Sequence, residues 1–171
     1  KQAFVHAIRL GQFPQADETL NRAEHLARQH NDRLGLAEMF TTRCMMCTAM
    51  ADFESVVRYM GESVEISREL DAQDQLAMGL EHVATTLIYM NRYEEAQQFN
   101  EEGLALAREI GNAEHEAGFL AFAVPYYLLW KGETEAASQA VETGVSIAAR
   151  IGATINHIIG AATAGDIARL R

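Results

Sequence analysis

A fourfold internal repeat constrains this chain more than any other feature. Segments 11–16 (GQFPQA), 51–56 (ADFESV), 91–96 (NRYEEA) and 132–137 (GETEAA) align at offsets of 40, 40 and 41 residues. The same offsets bring other positions into columns. Leu26, Ile66, Leu106 and Ile147 are large and aliphatic; Ala23, Ser63, Gly103 and Gly144 are small; so are Ala27, Ser67, Ala107 and Ala148. Leu10, Met50, Met90 and Trp130 form a fourth column, large and apolar, each closing a helix. Several columns in one register specify a repeated structural unit.

Each unit reads as two antiparallel helices. The second helices run over 13–30, 53–70, 93–110 and 134–151, and the first over 2–10, 34–50, 74–90, 114–130 and 154–170. In the third unit Ala96, Phe99, Gly103, Leu106, Ala107 and Ile110 recur at spacings of three and four, one face of a helix, while Glu94, Glu95, Glu101, Glu102, Arg108 and Glu109 lie largely off it. No alternating strand pattern competes. Asn31, Asp71, Gly111 and Gly152 follow the second helices, and these types tolerate the left-handed conformation that ends a helix. Gly11, Asn91 and Gly132 do the same inside the units; Ala51 is the exception. Pro14, Glu54, Glu94 and Glu135 open the following helices, where proline is pre-organised and carboxylates meet the positive dipole end. Small residues recurring at one register mark close helix crossings. The expected fold is therefore all-α, an α-α superhelix with its core running along its length. Units fall at about 1–31, 32–71, 72–111, 112–152 and a partial 153–171, in one repeat domain over 1–171.

Composition narrows the partners. Hydrophobic residues make up 49% and charged residues 22%, enough for a packed core. Fourteen Lys and Arg against 24 Asp and Glu leave a net charge of −10, which repels phosphate backbones and anionic lipid. Neither nucleic acid nor a membrane is expected as a partner. No stretch approaches the ~20 apolar residues of a membrane span. Two cysteines suit a reducing compartment, hence a cytoplasmic location. The N-terminus, beginning Lys1-Gln2-Ala3-Phe4, has no signal-peptide layout, and the chain reads as a piece of a longer protein.

The step Tyr93-Glu94-Glu95-Ala96, followed by the small Gly103, resembles the second helix of a tetratricopeptide repeat; Phe13 and Phe53 repeat the aromatic, and Thr134 departs from it. The period exceeds the ~34 residues of the common repeat. The excess sits in 104–111, and 147–152 ends the same way. This long variety is similar to the arrays of large bacterial signal-transduction ATPases, LuxR-type transcription activators and multidomain nucleotide cyclases. HEAT and armadillo arrays share the period but not the aromatic-Glu-Glu-Ala step.

The resemblance implies about nine antiparallel helices in four to four-and-a-half repeats, with a concave groove lined by first helices. With Cys44, Ala84 and Val124 at the family's small first-helix position, the groove carries Glu38, Thr41, Met45 and Thr48. It continues through Met78, Glu81, His82, Thr85, Ile88 and Tyr89, then Phe122, Tyr126 and Leu129. Thr41, Met45 and Thr85 stand where the family's carboxylate clamp would need basic or Asn residues, so that clamp is rejected. The groove instead suits an amphipathic helix or a partly apolar peptide.

Other motifs carry less. Cys44-Met45-Met46-Cys47 lies mid-helix, away from the N-terminal dipole that activates redox thiols, and has no second pair to complete a zinc site. It is expected to be packing. The histidines, His6, His25, His30, His82, His115 and His157, make no i,i+4 pair; His82, beside Glu81, is expected to be held charged and pH-sensitive. The pairs Glu94-Glu95 and Glu101-Glu102 face outward on one helix, and 160–165 (GAATAG) is a small helix face rather than a phosphate loop. No cofactor, no metal and no catalysis are expected. Pro125 falls inside a helix in the one unit with an extra residue, which predicts a kink or bulge over 122–127. The segment 154–171 reads as a first helix lacking its second, offering Ile155, Ile158, Ile159 and Ile167 to further repeats or to a homodimer. The expected function is a protein- or peptide-binding regulatory module, with an effector-sensing pocket of Phe122, Tyr126 and Trp130 as the alternative.

Overall fold

The computed structural model describes residues 10–170; the expected helix 2–10 and His6 lie outside them. Eight helices occupy the described residues, and no strand does. They are α1 (Phe13–Gln29), α2 (Arg33–Ala49), α3 (Phe53–Glu69), α4 (Gln73–Tyr89), α5 (Tyr93–Glu109), α6, α7 (Thr134–Ile151) and α8 (Thr154–Arg169). Helix α6 is composite: Ala113–Gly118, a π-helical turn over Phe119–Ala123, then Val124–Trp130. None is long and apolar enough to cross a membrane. Helix starts advance by 20 residues throughout, except for 21 between Ala113 and Thr134. The extra residue therefore resides in α6.

The 40-residue repeat is two copies of one device. Between helices the chain turns through a residue at positive φ: Asn31, Ala51, Asp71, Asn91, Gly111, Gly132 and Gly152. The next amide then reaches back to the carbonyl five residues earlier, as in Asp32 to Ala27 at 2.8 Å, Asp52 to Cys47 at 2.9 Å, Arg92 to Leu87 at 2.8 Å and Ala153 to Ala148 at 2.9 Å. This closure satisfies the last carbonyls of each helix. Asp32, Asp52 and Asn112 then cap the following helix by accepting from the amides of Gly35, Ser55 and His115. Such a turn reverses the chain in three residues and lays consecutive helices side by side.

Ala51 obeys the turn despite its side chain, at φ 56°. A left-handed alanine costs about 1 kcal/mol relative to glycine. It is exposed, so its methyl buries little that glycine would lose. Ala51→Gly is thus expected to stabilise the protein by about 1 kcal/mol, read as a rise of a few degrees in the circular-dichroism melt; an unchanged or lower melting temperature would contradict the strain.

The described residues form two compact units dividing between Gly79 and Leu80, inside α4. In the first, Ala16, Leu20, Leu36, Ala37, Met39, Phe40, Met46 and Ile66 form the core, with Phe40 stacked on Tyr59. In the second, Ala117, Leu120, Ile147 and Ala148 form one cluster and Ala137, Val141 and Ile167 another.

The small columns do what close crossings require. Ser63 is fully buried and donates to the Ala37 carbonyl at 3.3 Å. A Cβ on Gly103 would lie 2.1 Å from the Phe119 ring, and one on Gly144 would lie 2.8 Å from the backbone of Leu120 and Ala121. A Cβ on Gly160 would lie 3.4 Å from Ala121 and closer still to Val145. Glycines from α5, α7 and α8 therefore seat the π turn of α6.

That turn begins three residues before the expected 122–127. The Val124 amide bonds the Phe119 carbonyl, five residues back. Proline lacks an amide and crowds the carbonyl one turn earlier, so the helix widens ahead of Pro125 rather than around it. The insertion also corrects the fourth column. Trp130 is the last residue of α6, matching Ala49 and Tyr89, not Met50 and Met90, which follow their helices.

Candidate functional site

In the second unit, three first helices enclose a cleft of about 250 Å³. Helix α4 supplies Glu81, His82, Thr85 and Tyr89, which the 3.6-residue period puts on one face. Helix α6 supplies Gly118, Ala121 and Phe122, and α8 supplies Ile155, Asn156 and Ile159.

One end is polar. Glu81 Oε2 lies 2.7 Å from His115 Nδ1, joining α4 to α6. Gly118 leaves room for this carboxylate, since a Cβ there would overlap Glu81 Oε1. Two turns along, the other end is aromatic. Tyr89, Phe122 and Tyr126 form a ladder with centroids 4.9 and 4.8 Å apart. Cross-helix bonds hold the remaining wall: Asn156 Nδ2 donates to the Glu114 carbonyl at 3.0 Å, and the Tyr126 hydroxyl donates to Asp166 Oδ2 at 2.6 Å. Burial and this acceptor push the Tyr126 hydroxyl up to about 12.

Of the ten expected groove residues, Glu81, His82, Thr85, Tyr89 and Phe122 line this cleft, and Tyr126 adjoins it through Phe122. Glu38, Thr41, Met45 and Met78 belong to the first unit. There Glu38 and Met45 are exposed, Met78 is half-buried, and the Thr41 hydroxyl accepts from Gln75 Nε2 at 3.0 Å while donating to the Ala37 carbonyl.

Three expectations are corrected. Ile88 is buried, because it falls on the inward side of α4. Glu81 turns to His115, not to its neighbour His82, because successive side chains on a helix diverge by about 100°. The His82 imidazole is exposed on one side, yet dense surrounding protein strips enough water from it to lower its pKa. Glu81 opposes that shift and His115 adds to it. His82 is therefore neutral at pH 7, not held charged. Trp130 does not join Phe122 and Tyr126: it stacks on Tyr93 at 5.9 Å and lies 6.1 Å from Tyr127. Phe122 and Tyr126 keep their i,i+4 contact at 4.8 Å, while Trp130, at the end of α6, turns to Tyr93 on α5.

Cys44 and Cys47 are free and buried. Burial pushes the Cys44 thiol up to about 12 and raises that of Cys47, so both are protonated and unreactive at neutral pH. Among the described residues no three His, Cys, Asp or Glu side chains gather to hold a metal ion. No protein-family model and no curated protein matches the chain.

His115, Asn156 and Gly118 belong to the site but had no signal in the sequence. Glu81 and His115 are 34 residues apart, and only the stacking of first helices brings them together. A second omission lies in the first unit: Arg43, almost fully buried in α2, bonds Asp17 at 3.0 Å and Asn21 at 2.8 Å on α1.

Proposed function

We propose that this chain is a non-catalytic interaction module of the tetratricopeptide-repeat kind, within a larger bacterial signalling or transcription regulator, and that it takes a protein or peptide along its first helices. The observation that supports this best is the cleft of the second unit. It has a polar end, an aromatic end, and walls held by side-chain bonds from helix to helix. Its carboxylates serve those bonds: Glu81 holds His115, and Asp166 holds Tyr126. Such an arrangement fixes a shape rather than moving a proton.

The cleft volume bears on the effector-sensing alternative. Pockets that engulf a small molecule span ~300–1,000 Å³. At about 250 Å³ the cleft fits one large side chain of a longer ligand. Trp130 stacks on Tyr93 and does not line this cleft, which weakens the alternative further.

A thermal-shift comparison tests the assignment. Amphipathic helical peptides are expected to raise the melting temperature, and a library of small aromatic and aliphatic effectors is not. Tyr89 is 55% exposed, so Tyr89→Ala should abolish the peptide shift while lowering the unliganded melting temperature by no more than about 4 °C, the loss of its stack on Phe122. Stabilisation by small molecules alone would overturn it.

A further inference from the structure

We propose that the cleft selects a cationic amphipathic segment, with one large apolar side chain seated among Tyr89, Phe122, Ile155 and Ile159 and a lysine or arginine reaching Glu81. The inference rests on the peptide-docking function and adds the chemistry of the partner.

Charge decides it. No lysine or arginine lines the cleft; besides the Tyr89 phenol, its ionisable liners are the Glu81 carboxylate and His82, whose charged form burial disfavours. Glu81 retains 24% side-chain exposure, and His115 occupies one of its roughly four acceptor positions, so a second donor can be received. The surroundings carry the same sign: residues 80–171 include twelve Asp and Glu against six Lys and Arg. An acidic segment would meet repulsion throughout, and a neutral one would leave the exposed side of the carboxylate without a cationic donor.

Geometry fits the same partner. Glu81 and Tyr89 are eight residues apart on α4, about 12 Å along the helix. On a helical ligand, side chains three or four positions apart lie ~5–6 Å from one another at Cβ. A lysine one turn from the apolar anchor spans the remainder with its flexible stem. The apolar seat is ready: Ile155 is 73% exposed, and the Phe122 ring is held between Tyr89 and Tyr126.

The test uses three fluorescein-labelled 14-residue helical peptides: Leu/Lys amphipathic, Leu/Glu with the same leucines, and Ala/Lys with the same charge. Anisotropy is read at pH 8 in ~0.15 M salt. The Leu/Lys peptide is expected to bind at least about 10-fold more tightly than either control. Glu81→Gln should weaken it about 5- to 10-fold. Glu101→Gln, an exposed acid on α5, should leave it within about twofold. Ile155→Ser, at a position too exposed to affect folding, should weaken it by a similar factor to Glu81→Gln. Equal binding of Leu/Lys and Leu/Glu peptides, both weakened by Ile155→Ser, would overturn the cation preference and leave docking at the cleft standing. Leu/Lys binding that ignores both Glu81→Gln and Ile155→Ser would overturn the site. Binding of none of the three would remove the peptide-docking function itself.

Discussion

Gly144→Ala is expected to destabilise the second unit by about 2 kcal/mol, although alanine is the better helix former by ~1 kcal/mol. The added Cβ would lie 2.8 Å from the Ala121 amide nitrogen, 2.8 Å from the Leu120 carbonyl carbon and 2.9 Å from Leu120 Cβ. Carbon atoms prefer ~3.5–4.0 Å, so α7 must withdraw by several tenths of an ångström. The obstacle is backbone, which cannot rotate aside as a side-chain tip can. Nor can the π turn retreat, because Phe119 at its start is fully buried against Gly103, and Ala121 is also buried. Overpacking at such a crossing costs about 3 kcal/mol, of which the propensity gain offsets a third. Gly144→Val should cost roughly twice as much. Gly165→Ala in α8 is the contrast, since nothing lies within 4 Å of its added Cβ, and it should stabilise by up to about 1 kcal/mol. Trp130, the only tryptophan, belongs to this unit, so its fluorescence in urea reads these changes directly. A Gly144→Ala protein as stable as the parent would mean that α7 does not cross the π turn at this glycine.

The contrast between the two glycines marks what a sequence of this kind discloses. Gly144 belongs to a column with Ser63 and Gly103, and a column of small residues specifies a crossing from the sequence alone; Gly165 belongs to none. Helix limits were legible to within a residue or two because each is set locally, by a turn residue, a cap and a 3.6-residue stripe. The same local chemistry made Asn31, Asp71, Gly111 and Gly152 readable as left-handed positions. The bulge was half legible: Pro125 and the 41-residue spacing required an irregularity, but which turn yields depends on the packing of Phe119 against Gly103. What stayed hidden is pairwise and distant. Glu81 could have turned to any neighbour within reach, and nothing in its own helix points to His115. Trp130 reads in sequence with the aromatics of its own helix, whereas its stacking partner, Tyr93, stands on α5. Local rules fix the rods and turns; the cleft is made by side chains that meet only after the rods have stacked.

Arg43 is the sharpest such case, and its removal is expected to behave asymmetrically. Its side chain is 6% exposed, yet it carries a full charge in a column that elsewhere holds Val83 and Ala123. The guanidinium bonds Asp17 at 3.0 Å and Asn21 at 2.8 Å, approaches Glu24 at 3.8 Å, and lies 5.2 Å over the Tyr59 ring; its Nε has no partner. Asp17, Asn21 and Glu24 share one face of α1, so a single cation fixes that helix on α2. Removing the acceptors while keeping the cation leaves a charge in a site from which water is excluded. Asp17→Ala with Asn21→Ala should therefore cost about 3 kcal/mol, at the lower end for a broken buried pair because Asp17 is half exposed and Glu24 remains. Removing the cation instead relieves its desolvation, and Asp17 returns to water without loss. Arg43→Met, which refills the volume with apolar atoms and keeps a contact with Tyr59, should change stability by less than about 1 kcal/mol in either direction. Urea unfolding followed by circular dichroism gives both free energies. Hydrogen exchange of the α1 amides shows whether the loss is local, with protection falling there first in the double variant. An Arg43→Met protein less stable than the double variant would mean that the guanidinium contributes net attraction rather than fixing the register of α1 on α2.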